Sequence, residues 1–509
     1  MTFLKNIRVK LNNPSEKKEG LTNRTFKGFL WLASGKSFEA ILRILILSVL
    51  ARMISPEEFG LVSAALIIIS FSRLFTEMGV GPAIVQKEEL KDTHISTGII
   101  ISLLMGLILG SIIIIFSPYI ASFFNMIQLE LILKVTSIIF LLEAISLIGQ
   151  ALLQRKLHFH LISGIDIFSY LIGFGGIGIF LAYYNYGVWA LVWGHIGRVA
   201  LKALLVWLIQ GISYKFKFDL IAFKELMNYG VGLTIGKFAN YIAIQGDNLI
   251  VGRVLTASSL GVYGRAYNLM VMPANLIGTA LNNALFPTMS KVQNDSTKLN
   301  TAYLTGISGL ASLMIPLSVF IFIMAKYIVL VLLGENWVEV TNPLRVLSLA
   351  ILFRTSYKLS DSLARATARV YNRMWRQFVY AILILIGAYL GSIFHGIVGV
   401  SLGVIIAVFI NFILMAGLSI RILDISWIDF IKGHFRGIFS GLVTGTITYG
   451  IYITIPNYIE SSFLILFISI IIIIAFYLLF IKNIPSLFFN NYMINFIYKI
   501  LPQIIKQKD

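Results

Sequence analysis

The chain contains no cysteine among its 509 residues. Disulfides, thiolate metal sites and cysteine nucleophiles are therefore excluded, although the compartment is not decided by that absence. Charge is scarce as well: 13% of residues are charged, about half the usual ~25% of a soluble domain. A soluble protein of this length could not cover its surface with so few. Histidines number six, at 94, 158, 160, 195, 395 and 434. His158 and His160 lie in a short basic loop, where solvent exposure is a simpler reading than zinc binding. No metal ion or cofactor is expected, and no catalytic motif points to an enzyme. No cleavable signal peptide is expected either, because the basic tail to Lys27 runs into an apolar segment without an A-x-A site.

What the chain has in abundance is apolar sequence, 58% hydrophobic by composition. Runs able to cross roughly 30 Å of hydrocarbon recur from end to end; Phe463–Ile481 is the plainest, uncharged until Lys482. Polar breaks divide the chain into fourteen spans, near 28–51, 60–78, 95–116, 127–153, 161–183, 186–208, 226–251, 259–287, 302–325, 339–363, 375–394, 397–420, 433–453 and 461–481. The fourth, eighth and tenth carry polar residues. Runs of this length are too long for barrel strands, so backbone hydrogen bonding in lipid requires helices. The expected fold is an all-α polytopic membrane protein with about 14 transmembrane helices.

Lys and Arg between spans set the orientation. Odd-numbered loops hold only Arg52, Arg253 and Lys326, while the termini and even-numbered loops hold 27 basic residues. Both termini are accordingly expected in the cytoplasm. This asymmetry accounts for most of the net charge of +18, so nucleic acid is not needed as a partner. Pro485–Ile505 mixes aromatic, aliphatic and basic residues and reads as an amphipathic helix on membrane lipids.

The sequence also repeats itself. Gly35-Lys36 matches Gly236-Lys237, Arg52 matches Arg253, and Phe59-Gly60-Leu61 matches Leu260-Gly261-Val262, all at an offset of 201 residues. A weaker echo pairs Gly187-Val188 with Gly396-Ile397 at 209. Six spans per copy give both copies the same orientation, with an axis along the membrane normal and the substrate pathway between them. The expected organisation is a basic cytoplasmic tail (1–27), an N-lobe (28–208), a cytoplasmic linker (209–225), a C-lobe (226–420), two additional spans (421–481) and an interfacial tail (482–509).

With Arg376 and Arg436, close to span starts, counted with the adjoining loops, eleven basic residues fall inside spans: Lys36, Arg43, Arg73, Lys134, Arg198, Lys202, Lys237, Arg265, Arg345, Arg354 and Lys358. Each costs about 2.5–3.5 kcal/mol at a lipid-facing helix centre. Lys134, Lys202 and Arg345 lie near span ends and can snorkel; the others need water, partners or a ligand. Lys36, Glu39 and Arg43 form one helical stripe, Arg354, Lys358, Asp361 and Arg365 another, His195, Arg198 and Lys202 a third, and Arg73 with Glu77 a fourth. Salt bridges holding the bundle are one explanation. Intramembrane acids number only about six (Glu39, Glu77, Glu143, Asp166, Asp247, Asp361), and an excess of bases suits an anionic ligand such as phosphate. The candidate cavity cations are Arg43, Arg73, Lys237, Arg265, Arg354 and Lys358, with Lys36 and Arg198; Glu39, Asp166 and Asp247 are candidates for ion coupling. Gly173-Phe174-Gly175-Gly176-Ile177-Gly178 has dinucleotide-loop spacing, but inside an apolar span it reads as close helix packing.

Leu50-Ala51-Arg52, Ser55 to Gly60 and Gly79-Val80-Gly81-Pro82-Ala83-Ile84-Val85-Gln86 resemble the polysaccharide-transport (Wzx-type) flippases of the multidrug/oligosaccharidyl-lipid/polysaccharide exporter superfamily. Gln150 to Arg155 and Gly187-Val188-Trp189-Ala190-Leu191 fit the same pattern. The resemblance implies translocation of an undecaprenyl-diphosphate-linked oligosaccharide across the bacterial inner membrane through a cation-lined cavity, with a polysaccharide polymerase and a chain-length regulator as candidate partners. A lipid II flippase, a multidrug exporter and a membrane glycosyltransferase or polymerase are the competing readings. The excess of bases argues against the multidrug exporter. The short external connections and the repeat argue against the enzyme.

Overall fold

A computed structural model describes the backbone of residues 21–77, 79–210 and 217–483. The side chains of Lys36, Glu77 and Lys237, the linker residues 211–216 and the segment Pro485–Ile505 lie outside the described residues.

Polar residues start the helices. Ser55 and Glu58 form a reciprocal cap, with the Ser55 backbone N–H donating to Glu58 Oε2 at 2.9 Å and the Glu58 backbone N–H reaching Ser55 Oγ at 3.4 Å. Thr256 caps in the same way, accepting from the Ser259 backbone N–H at 3.1 Å. Asp219, Asp295 and Ser426 accept from the backbone N–H groups of Ala222, Lys298 and Asp429. Between such starts run α1 (Leu21–Met53), α2 (Pro56–Glu77), α3 (Val80–Gln86), α4 (Asp92–Phe124), α5 (Gln128–Thr136), α6 (Ile138–Arg155), α7 (Phe159–Tyr170), α8 (Ile179–Tyr183), α9 (Val188–Gln210), α10 (Leu220–Val254) and α11 (Ala257–Lys291). The second half of the chain contributes α12 (Ser296–Leu332), α13 (Thr341–Ser348), α14 (Ile351–Ala366), α15 (Val370–Leu423), α16 (Trp427–Thr454) and α17 (Ser462–Asn483).

Each of the fourteen expected spans overlaps helix among the described residues. Among the described residues, nine helices are long and apolar enough to cross a membrane. One of them, Tyr371–Leu423, is broken at His395 (φ −142°) and Gly396 (φ +55°), between the expected eleventh and twelfth spans. No strand occurs among the described residues. The fourth span is two helices meeting at Ser137, and the tenth is α13 and α14 meeting at Leu349-Ala350. The protein is an all-α polytopic membrane protein. Outward faces carry large apolar side chains such as Ile115 (65% exposed) and Phe394 (75%), which suits hydrocarbon and would be costly in water.

The chain forms two compact units, Met1–Gly261 and Val262–Asp509. In the first, Val80, Ile84, Ile99, Ile148 and Leu226 share one core cluster, which ties α10 to α3, α4 and α6. That packing carries the first unit well past the 209–225 linker. In the second, α16 lies against α12 so closely that a Cβ on Gly437 would come within 2.5 Å of the Ala311 carbonyl.

The repeat has local structural counterparts. Thr256 and Ser259 stand 201 residues after Ser55 and Glu58, so the caps of α2 and α11 are in register. Gly187 and Gly396 both take φ +55° at the starts of their spans. Leu157 and Ala368, 211 residues apart, both adopt left-handed backbone. Each sits in the same cap, in which the Leu157 and His158 N–H groups reach Gln154 and Leu153 carbonyls and those of Ala368 and Arg369 reach Arg365 and Ala364.

Candidate functional site

The stripe on α1 closes on itself. Arg43 donates to Glu39 Oε1 at 2.5 Å, a pairing that the four-residue spacing favours. The Arg43 guanidinium also lies over the Tyr170 ring of α7, 5.2 Å from its centroid, and Arg198 of α9 lies over the same ring at 5.5 Å. Behind Arg198, a Cβ on Gly173 would come within 2.6 Å of the Arg198 backbone N. The glycine-rich segment Leu171–Gly178, wound as a π-helix, therefore serves close packing of α9.

Two more ion pairs cross between helices. Arg73 of α2 meets Glu143 of α6 at 3.2 Å, and Lys202 of α9 meets Asp166 of α7 at 2.8 Å. Lys202 was expected to snorkel at its span end. It instead bridges to Asp166, which is 8% exposed at the side chain, because a buried carboxylate needs a partner more than the lysine needs water. Arg73 was grouped with Glu77 on its own helix, but its described ion pair is to Glu143.

Arg73, Arg198 and Lys202 line one cavity of about 280 Å³ inside the first unit, together with Glu143, Gln150, Gln154 and His195. Gly81 and Pro82, at the start of α3, form part of its wall. Arg155, next to Gln154, points away from it and caps α3 by donating to the carbonyls of Ile84, Val85, Lys87 and Glu88. Asp247 is not in this group: it is 1% exposed on α10, where it accepts from the Asn248 backbone N–H at 2.8 Å.

In the second unit, Arg354 of α14 is 4% exposed. It donates to the Tyr267 hydroxyl of α11 at 2.5 Å and lies over that ring at 5.0 Å. One turn on, Lys358 donates to Asn275 Oδ1 at 2.8 Å. Asp361 then gathers Arg365 (3.2 Å) and Arg373. Arg265 is half-buried on α11. The structure thus brings together Arg43, Arg73, Arg198, Glu39 and Asp166 in one unit, and Arg354 with Lys358 in the other. Lys36 and Lys237 lie outside the described side chains.

The sequence reading missed the neutral partners Tyr170, Tyr267, Asn275, Gln150 and Gln154. The glutamine pair had a signal: Glu143, Gln150 and Gln154 share one face of α6. His158 is also corrected. It was expected in solvent but is 5% exposed and stacks on His160 with ring centroids 5.8 Å apart, directly after the left-handed turn at Leu157.

On the cytoplasm-facing side expected for residues 87–94, Glu225 accepts from Lys87 Nζ at 2.7 Å and bonds His94 Nε2 at 2.8 Å. These two bonds hold its carboxyl at about 2, well below the ordinary carboxylate range. They fasten the start of α10 to α4.

An all-α bundle with ionisable stripes inside its spans defines a polytopic membrane protein with polar groups between its helices. Residues 49–342 match the family described as "Polysaccharide biosynthesis protein", more than half of the chain, and the protein belongs to that family. It is 25% identical to the lipopolysaccharide biosynthesis protein WzxC of Escherichia coli (strain K12) over 445 residues, covering 86% of this chain and 89% of WzxC. It is 24% identical to the teichuronic acid biosynthesis protein TuaB of Bacillus subtilis (strain 168) over 351 residues, 69% of this chain and 72% of TuaB. Among solved structures, the lipid II flippase MurJ in its inward closed conformation is similar in fold. The TM-score is 0.72 at 17% sequence identity, over 89% of this chain and 99% of MurJ.

Proposed function

We propose that the protein is a flippase that carries a polyprenyl-diphosphate-linked oligosaccharide across the bacterial inner membrane by alternating access, for O-antigen, capsule or exopolysaccharide synthesis. Its substrate is an undecaprenyl-diphosphate-linked oligosaccharide, both termini are cytoplasmic, and a polysaccharide polymerase and chain-length regulator are its candidate partners. The protein is not an enzyme in this reading.

One observation carries it. Arg198 and Lys358 sit within membrane helices and are held by an aromatic face and a side-chain amide, and neither is in an ion pair among the described residues. Such neutral partners hold a cation in place without cancelling its charge. An anionic lipid-linked substrate crossing a low-dielectric region needs charges of that kind. Dispersed cations also suit release, which a single rigid clamp would slow. Arg43, Arg73, Arg265 and Arg354, with Lys36 and Lys237, complete the set, and Glu39, Asp166 and Asp247 are the acids through which an ion gradient could act. The relatives support the substrate class, since WzxC and TuaB are named for lipopolysaccharide and teichuronic acid biosynthesis. The fold likeness to MurJ favours a lipid II-type substrate as the second reading.

Lipid-linked intermediates in a deletion strain separate the two. The proposal expects a completed polyprenyl-diphosphate oligosaccharide to accumulate on the cytoplasmic side. Accumulation of lipid II instead would replace it with the second reading.

A further inference from the structure

The cavity in the first unit is built from two facing stripes. Glu143, Gln150 and Gln154 lie at i, i+7 and i+11 on α6, and His195, Arg198 and Lys202 at i, i+3 and i+7 on α9. Two of its cations are matched: Arg73 pairs with Glu143, and Lys202 with Asp166. Arg198 is held by the Tyr170 ring. Among the described residues, the cavity therefore offers one cation that is not in an ion pair, beside two neutral carboxamides. Gln150 is held in place by donating from Nε2 to Ser146 Oγ at 3.0 Å, and its carbonyl oxygen is an acceptor. Gln154 is exposed in the last turn of α6. A volume of about 280 Å³ lies at the lower edge of small-molecule sites, roughly 300–1,000 Å³. That fits a sugar ring or two and not a polyprenyl tail.

The charge count decides which part of the substrate belongs here. A diphosphate carries at least two negative charges and would be under-matched by Arg198 alone. A single carboxylate is matched one to one, and the planar guanidinium can bind it through two parallel hydrogen bonds. Carboxamides both donate and accept, as ring hydroxyls require.

We propose that this cavity is a sugar subsite for one carboxylated pyranose of the lipid-linked oligosaccharide, with Arg198 binding the carboxylate and Gln150 and Gln154 reading ring hydroxyls. The proposal rests on the flippase reading and adds which sugar chemistry the first unit selects.

The test uses the full-length protein in nanodiscs, with a glucuronate-containing oligosaccharide and its carboxyl-reduced, neutral counterpart as probes. Binding is measured by calorimetry and flipping of a lipid-linked substrate in proteoliposomes. The wild type should bind the acidic probe about tenfold or more tighter than the neutral one. Arg198→Gln should erase that preference and Arg198→Lys retain part of it. Gln150→Leu and Gln154→Leu should weaken both probes by a similar factor while the acidic preference persists. Equal wild-type affinity for the two probes, or no binding of either, overturns the subsite, as does a preference that survives Arg198→Gln. Those results leave the flippase reading standing if the wild type still flips lipid-linked oligosaccharide; loss of flipping by the wild type instead removes the reading on which the subsite rests.

Discussion

Gly60 and Gly261, 201 residues apart in the chain, meet backbone to backbone. A Cβ on Gly60 would overlap the Ala257 carbonyl and lie 3.1 Å from the Gly261 N; one on Gly261 would overlap the Pro56 carbonyl and lie 3.2 Å from the Gly60 N. The contact is reciprocal, and Pro56 and Ala257 are themselves 201 residues apart. The repeat is thus visible as a local two-fold contact between the first turns of α2 and α11. Gly60→Ala or Gly261→Ala forces these turns apart and should cost about 1–3 kcal/mol, read as a lower unfolding temperature in detergent. Gly450→Ala on α16, where a Cβ meets nothing within 4 Å, should be neutral or slightly stabilising. Equal effects at all three positions would contradict the contact.

Topology is tested by reporter fusions. Fusions after Lys18, Lys217, Arg373 and Lys508 should report cytoplasm, and fusions near Asn185 and Pro456 the outside, as the bias of 27 basic residues against 3 predicts. A reproducible external signal at Lys217 would overturn the six-span repeat along with the span count.

Much of this was legible because it is local. The spans followed from apolar runs, and the Glu39–Arg43 pair from a four-residue spacing on one helix. The constant offset at Gly35, Arg52 and Gly60 exposed the repeat. The Ser55–Glu58 and Thr256–Ser259 caps escaped notice because the paired residues differ in type while doing the same work. Arg73–Glu143 and Lys202–Asp166 were hidden for another reason: which neighbouring helix faces which stripe is set by packing of distant segments. The neutral partners Tyr267 and Asn275 were invisible because nothing in their own sequence context marks them as cation-binding.

The Glu225 clip has a defined pH dependence. Its folded carboxyl, at about 2, lies below the unfolded value of about 4.3. The clip's contribution is therefore fully present above the unfolded value and is lost as pH falls through about 2. Lys87 and His94 are the groups that face it. Glu225→Gln should lower the unfolding temperature at pH 7, modestly because the carboxyl is exposed and screened by salt. The gap to wild type should narrow as pH drops below about 4. A gap that stays constant down to pH 3 would show that the carboxylate contributes nothing through its charge.

Energy coupling should run through an acid inside the spans. Glu39 and Asp166 are already engaged with Arg43 and Lys202, so protonation or cation binding there would release a basic residue for substrate. Flipping in proteoliposomes is expected to depend on a proton or sodium gradient, and Glu39→Gln, Asp166→Asn or Asp247→Asn to remove that dependence. Flipping by the wild type without any gradient would end this idea.

The central claim is that intramembrane cations carry an anionic lipid-linked sugar, and the most direct measurement is flipping by cation variants that are still folded. Arg43→Gln, Arg354→Gln and Lys358→Gln should each insert normally, elute as the wild type does from detergent, and lose at least about tenfold in the rate of flipping a polyprenyl-diphosphate oligosaccharide, about 1.4 kcal/mol in the barrier. Variants that fold and flip at the wild-type rate would contradict the claim. Variants that fail to insert or unfold in detergent would show that these residues hold the bundle together instead.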